Sequence, residues 1–283
     1  MQKFQAFKLL FLCATLLASG TCAVAGGTVT GIPASAADNP RELWGAAMEE
    51  FYGSYDRKAK CWRGKSRDSE AVKLCMRPHK MQTVEQGGST IYYLVFGGYA
   101  PGADGGHDNC HACSGRIGMV MLETGENGKM RLVARDSLGV AAGGWGDPPP
   151  EEAFELRRAG PADADIPNHV WVMETGYTGQ GYTYISKVIY GAVGDRIEEL
   201  ADVPSGFDDQ GNCDNGRNMM TEAPCSDFSA EISFRDMPGK PYSDAILTYS
   251  GSDKGKQINT TYNLPFDGQT MRYSVPDDLP GSE

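Results

Sequence analysis

The stretch from Gly97 to Gly115 is the most unusual in the chain, with side chains able to do chemistry set close together. Six glycines surround His107, Asp108, Cys110, His111 and Cys113. Imidazoles and thiolates are ligands for zinc or copper, so one reading is a metal site on His107 and His111, with Asp104 or Asp108 beside them. Against it, Cys110 and His111 are adjacent, and neighbouring side chains rarely aim at one ion. A redox Cys-x-x-Cys is the second reading. Such sites place the first cysteine at a helix amino terminus, where the dipole lowers its pKa. Here Gly115 leads into Ile117-Gly-Met-Val-Met-Leu122, which has the pattern of a strand. Covalent haem is excluded, because Cys110-His-Ala-Cys113 is followed by Ser114 where that motif needs histidine. The third reading, a structural disulfide in a glycine-rich loop, is favoured. With Trp145, the residues His107, Asp108 and His111 are the candidate binding residues. His107 and His111 double as candidate metal ligands, and no other cofactor is indicated.

Other motifs are weaker. Asp208, Gln210, Asn212 and Asp214 alternate as in a calcium loop, but Cys213 stands where glycine is required and Met219 where glutamate is required. A turn pinned by a disulfide is the simpler reading. Gly64-Lys65-Ser66 mimics the end of a phosphate loop, yet Ala59 occupies the matching glycine position. Gly176-Tyr-Thr-Gly-Gln-Gly-Tyr182 lies between two expected strands and reads as a loop, not a dinucleotide fingerprint. Nucleophile-elbow and zinc-protease patterns are missing, so the balance leans away from an enzyme.

The amino terminus has the three parts of an export signal. Lys3 and Lys8 precede an apolar run from Leu9 to Ala18, and Ala23-Val24-Ala25 supplies a small-x-small cleavage site. The run is too short to anchor a helix across a bilayer, and no later segment reaches spanning length, so no membrane span is expected. Thr21 and Ser19 occupy positions where a lipoprotein signal at Cys22 would want a small residue and leucine, which favours a periplasmic or secreted product over a lipoprotein. The formal charge is −11, and −13 once Lys3 and Lys8 leave with residues 1–25. That argues against nucleic-acid binding and would favour a cationic protein partner. Six cysteines remain beyond the signal: Cys61, Cys75, Cys110, Cys113, Cys213 and Cys225. In an exported chain they imply disulfides. Their grouping suggests 61–75, 110–113 and 213–225, with other pairings open. The first and third would contribute about 3 kcal/mol each in the chain-entropy model.

The elements that must position these residues are mostly strands. Residues 26–37 read as a flexible leader. Asn39 as cap, Pro40 at the first helical position and Glu42 three residues on begin an amphipathic helix to about residue 55. From residue 80 the apolar period becomes two. Hairpins are expected over 81–97 and 117–136, the second turning at Glu126-Asn127-Gly128. Strands follow over 170–175, 182–192, 196–203, 228–234, 244–249, 257–263 and 270–275. The expected fold is mainly β (α+β), an antiparallel sheet or sandwich of about ten strands with one amino-terminal helix, in a single domain over 38–283. Long loops remain over 98–116, 137–168 and 204–226, and loops of that length are usually functional or mobile.

Cys61-Trp62 with Cys75-Met76, His111-Ala-Cys113-x-Gly115 opening a strand, and Thr178-Gly-Gln-Gly-Tyr182 together resemble a group of uncharacterised exported bacterial proteins. The resemblance spans residues 60–215 and implies a Gram-negative periplasm, with no activity attached. The disulfide scaffold, polar loops, acidity and missing catalytic motifs point to a binding or inhibitory protein. Immunity proteins that neutralise toxins or lysozyme-like enzymes are the model. The alternative is a metal-binding protein or metal-dependent enzyme using the His107–Cys113 loop.

Overall fold

A computed structural model of the chain describes residues 28–281, apart from 68, 70, 87, 103–104, 108–109, 126, 161–168 and 238. The expected export signal lies outside the described residues. The chain opens with β1 (Thr28–Pro33), a short 3-10 turn and α1 (Pro40–Tyr52). Then come β2 (Tyr55–Asp56), β3 (Cys61–Lys65), β4 (Lys73–Gln86), β5 (Ser89–Tyr99), β6 (Gly115–Thr124) and β7 (Lys129–Arg135). The middle holds β8 (Val140–Ala142), β9 (Phe154–Arg158), β10 (His169–Gly179), β11 (Tyr182–Val193) and β12 (Arg196–Asp208). Two short strands, β13 (Cys213–Asp214) and β14 (Arg217–Asn218), precede β15 (Asp227–Arg235), β16 (Asp244–Asp253) and β17 (Lys256–Leu264). The small pair β18 (Phe266–Asp267) and β19 (Arg272–Tyr273) completes the described strands.

Fifteen of these strands form one hydrogen-bonded sheet. Its pairings are antiparallel except where β7 and β12 meet in parallel at Arg135 and Arg196, which makes it mixed. The β-rich character is as expected, and the strand number exceeds the expected ten. β3, β8 and β9 escape periodicity analysis because they are short, and the edges of β4, β6 and β10 hold them extended. The first part of the expected flexible leader is also a strand. β1 pairs with β7 and alternates its burial, with Thr30 and Ile32 inward. Thr30 fixes that register by donating its hydroxyl to the Met130 carbonyl at 2.8 Å. In the opposite sense, only Arg272 and Tyr273 of the expected 270–275 strand are extended and paired.

Helix α1 starts where the sequence places it. The Asn39 side chain accepts from the Arg41 amide at 3.0 Å, and Pro40 needs no donor at the first position. It ends at Tyr52 because Gly53 turns to φ +80°. Leu43, Ala47, Met48 and Tyr52 pack on Leu94, Phe96, Val120 and Leu122 of the sheet. Phe96 is the hub, meeting the rings of Trp44, Phe51 and Tyr52 with centroids 5.6, 6.2 and 5.2 Å away.

Alternation then distributes the central strands between two further clusters. Tyr93, Val95, Ile117 and Met119, on the face away from α1, meet Trp171, Met173 and Val188. Val170, Val172 and Ile189 turn the other way and pack with Phe228, Ile232, Leu247 and Tyr249. The sheet therefore folds back over itself, burying both faces of β10 near its start and of β11 near its end, while the β10–β11 turn extends beyond this core. No helix among the described residues is long and apolar enough to cross a membrane.

Candidate functional site

The three expected disulfides are formed: Cys61–Cys75, Cys110–Cys113 and Cys213–Cys225. The second anchors a loop that carries most of the candidate residues. Its ring is closed by the Cys113 amide donating to the Cys110 carbonyl at 2.9 Å, and the Gly146 amide donates to the Cys113 carbonyl at 2.8 Å. The loop is thus tied to a tight turn over 143–147. Gly143 and Gly146 take φ near +78° and +79° there, and Trp145 between them takes φ +57°. A bulky residue in that region stores strain of about 1–3 kcal/mol, a pattern concentrated at functional positions. The side chain so presented is 57% exposed.

The strand behind this turn makes room for it. A Cβ at Gly115 would lie 2.1 Å from the Pro148 nitrogen and 2.2 Å from the Asp147 carbonyl carbon, so only glycine lets the turn rest on β6. His79, beneath the same proline-rich segment, meets the Phe154 ring edge-on at 5.5 Å, and its burial pushes its pKa below the ordinary histidine value.

His111, inside the disulfide ring, brings two elements together. Its ring meets Trp145 edge-on at 4.7 Å and Tyr177 at 5.6 Å. Tyr177 starts a cross-strand row: it faces Tyr184 on β11, which faces Phe207 on β12, which faces Phe228 on β15. Such directly opposed aromatic residues stabilise neighbouring strands. The row descends from solvent to core. Tyr177 is 51% and Tyr184 46% exposed, while Phe228 is buried. The Tyr184 and Phe207 rings are 5.0 Å apart, and Tyr182 stacks on Phe207 at 6.2 Å.

The second disulfide loop adjoins the β10–β11 turn. Asn212 donates its side-chain amide to the Gln180 carbonyl at 2.6 Å, and its own carbonyl accepts from the Met219 amide at 2.8 Å. Buried Asp209 fixes this loop from inside, accepting from the Asn218 side chain at 2.7 Å and the Ser226 amide at 2.8 Å. Met219 and Met220 project outward. The Asp208–Asp214 run is accordingly a turn held by its own hydrogen bonds, with Asp208 accepting from the Gln210 amide.

His107 points elsewhere. Its ring meets Tyr99 at 4.8 Å, and its Nε2 lies 3.3 Å from an Asp147 carboxylate oxygen. Asp104 and Asp108 lie outside the described residues. His107 and His111 thus sit in the same loop with different partners. Among the described residues, three side chains of metal-ligand type converge at Asp209, Cys213 and Cys225, where both sulfurs are already bonded to each other. Sequence reasoning singled out His111 and Trp145, which the fold brings into contact. It missed Tyr177, Tyr184, Met219 and Met220. Their only signals were tyrosines flanking a glycine-rich turn and a methionine pair in a polar loop.

No family model, curated protein or solved structure shows significant similarity to this chain, so its functional reading rests on this geometry.

Proposed function

We propose that this chain is an exported binding or inhibitory protein that captures a partner protein on the surface built from Trp145, His111, Tyr177, Tyr184, Met219 and Met220. One observation carries this reading. Of seven large hydrophobic residues exposed among the described residues, five lie on the end of the β10–β11 hairpin or on the 143–147 turn and 213–225 disulfide loop. Contiguous exposed apolar surface on a soluble protein marks interaction sites. Tryptophan and tyrosine dominate binding hot spots, and methionine adapts to irregular partners. The two disulfides and the sheet register limit the ordering cost on association.

The formal charge of −11 favours a cationic partner, and Asp147, whose side chain is 71% exposed, places a carboxylate beside Trp145. A basic toxin or lysozyme-like enzyme neutralised by an immunity-type protein fits that description. The test is cross-linked capture from the periplasm at low and moderate salt, comparing the native protein with Trp145→Ala and Tyr177→Ala. Truncating a hot-spot ring costs about 2 kcal/mol or more, so each variant should capture its partner about 30-fold less well. Equal capture by all three proteins, or no specific partner for the native one, removes the proposal.

A further inference from the structure

We infer that the Cys110–Cys113 disulfide is a thiol–disulfide exchange site, reducible in the folded protein, and that its redox state sets the position of His111 on the aromatic surface. Three observations carry this. First, access differs sharply among the disulfides. Cys61 and Cys75 are both fully buried, so no reductant reaches them without opening the fold, whereas Cys110 is exposed. Exposed disulfides are the labile ones.

Second, the ring is small. Cys110 and Cys113 are three residues apart, against 14 and 12 for the other pairs, so their bond constrains the unfolded chain least. The sheet and the two larger rings remain when it opens.

Third, the two sulfurs are unlike. Cys113 lines a cavity of about 180 Å³ together with Tyr99, Ser114, Arg116 and Gly146. The Arg116 guanidinium is held by Nη1 donating to the Gly139 carbonyl at 3.4 Å, and its buried Nε has no hydrogen-bond partner. A guanidinium in the same cavity favours a thiolate on Cys113, which makes Cys113 the leaving group and Cys110 the sulfur attacked.

The step balances with a dithiol reductant, protein or small molecule. One reductant thiolate attacks the Cys110 sulfur, the Cys110–Cys113 bond breaks, and Cys113 leaves as the thiolate. The second reductant thiol then displaces Cys110 from the mixed disulfide. Two electrons and two protons pass to the protein, giving two cysteine thiols, and the reductant leaves as a disulfide. Opening the ring removes the constraint on His111 and loosens its contacts with Trp145 and Tyr177. The exchange site stands independently of partner capture, and its effect on binding rests on the proposed function.

The experiment uses the intact oxidised protein, dithiothreitol under native conditions, timed alkylation and mass spectrometry of each cysteine pair. Cys110–Cys113 should reduce at least about 100-fold faster than Cys61–Cys75 while circular dichroism keeps the folded signal. Arg116→Gln should slow that reduction about tenfold. Tryptophan emission should change with the same rate constant, and the change should vanish in Trp145→Phe. A protein carrying both Cys110→Ser and Cys113→Ser should show the reduced spectrum without reductant. If Cys110–Cys113 reduces no faster than Cys61–Cys75, or only as the fold is lost, the exchange site is wrong. If it reduces as expected while emission is unchanged, the coupling to His111 is wrong. Fast reduction with no partner captured in either state would defeat the proposed function and leave the exchange site in place.

Discussion

Gly115→Ala is the sharpest test of how the candidate surface is held. The added methyl carbon would sit 2.1 Å from the Pro148 nitrogen, 2.2 Å from the Asp147 carbonyl carbon and 2.4 Å from its oxygen. Ordinary contact begins near 3.4 Å, so the turn and β6 must move apart by about 1.3 Å. All three obstacles are backbone atoms, which cannot swing aside as a side chain can. Overpacking costs about 1–3 kcal/mol, and backbone obstruction puts this case near 3 kcal/mol. For a chain of this size, that lowers the melting temperature by about 6–12 °C. The matched control is Gly144→Ala in the same turn, where nothing lies within 4 Å of the new atom. It should stay within about 0.5 kcal/mol of the native protein. Thermal and urea unfolding of both variants under oxidising conditions measures the difference, and partner capture should fall only for Gly115→Ala. Equal stability of the two variants would refute the packing of the turn on β6.

Three further outcomes follow. Phe96→Ala removes the ring on which Trp44, Phe51 and Tyr52 converge and should cost about 3–5 kcal/mol, read from the urea midpoint; a loss below about 1 kcal/mol would show that α1 packs otherwise. Asp209→Ala leaves the Ser226 amide and the Asn218 side chain without their acceptor, so limited proteolysis should cut within 210–225 faster than in the native protein while the core melts within a few degrees of it. Burial lowers the pKa of His79 and His169 in the fold below the ordinary 6.5, so the unfolded chain binds more protons as pH falls. Stability is then full above about pH 6.5 and declines toward pH 5, and the double variant His79→Asn with His169→Asn should flatten that slope in urea midpoints.

What the sequence revealed followed from local physics. The Asn-Gly turn and its flanking alternation located β6 and β7 to within a few residues, and the caps located α1. The close spacing of the cysteines suggested the pairing that is found, while leaving others open. What stayed hidden depends on partners distant in the chain. Thr28–Pro33 is extended because β7 offers it an edge, and nothing within the segment distinguishes it from a loose leader except Thr30 and Ile32. His111, Trp145 and Tyr177 meet because the 110–113 disulfide loop, the 143–147 turn and the end of β10 reach the same corner of a sheet that folds on itself. His111 and Trp145 were visible in the sequence as candidates, but Tyr177 and the convergence of the three were not.

The three disulfide rings also have an order. They close over 61–75, 110–113 and 213–225, so none overlaps, encloses or threads another. A chain emerging amino terminus first presents both halves of each bond before the next ring begins. Oxidation can therefore proceed one ring at a time, each pair finding its mate as the nearest available thiol. Mispaired intermediates have little opportunity to form in such an emerging chain, so native pairing during synthesis should not require a disulfide isomerase.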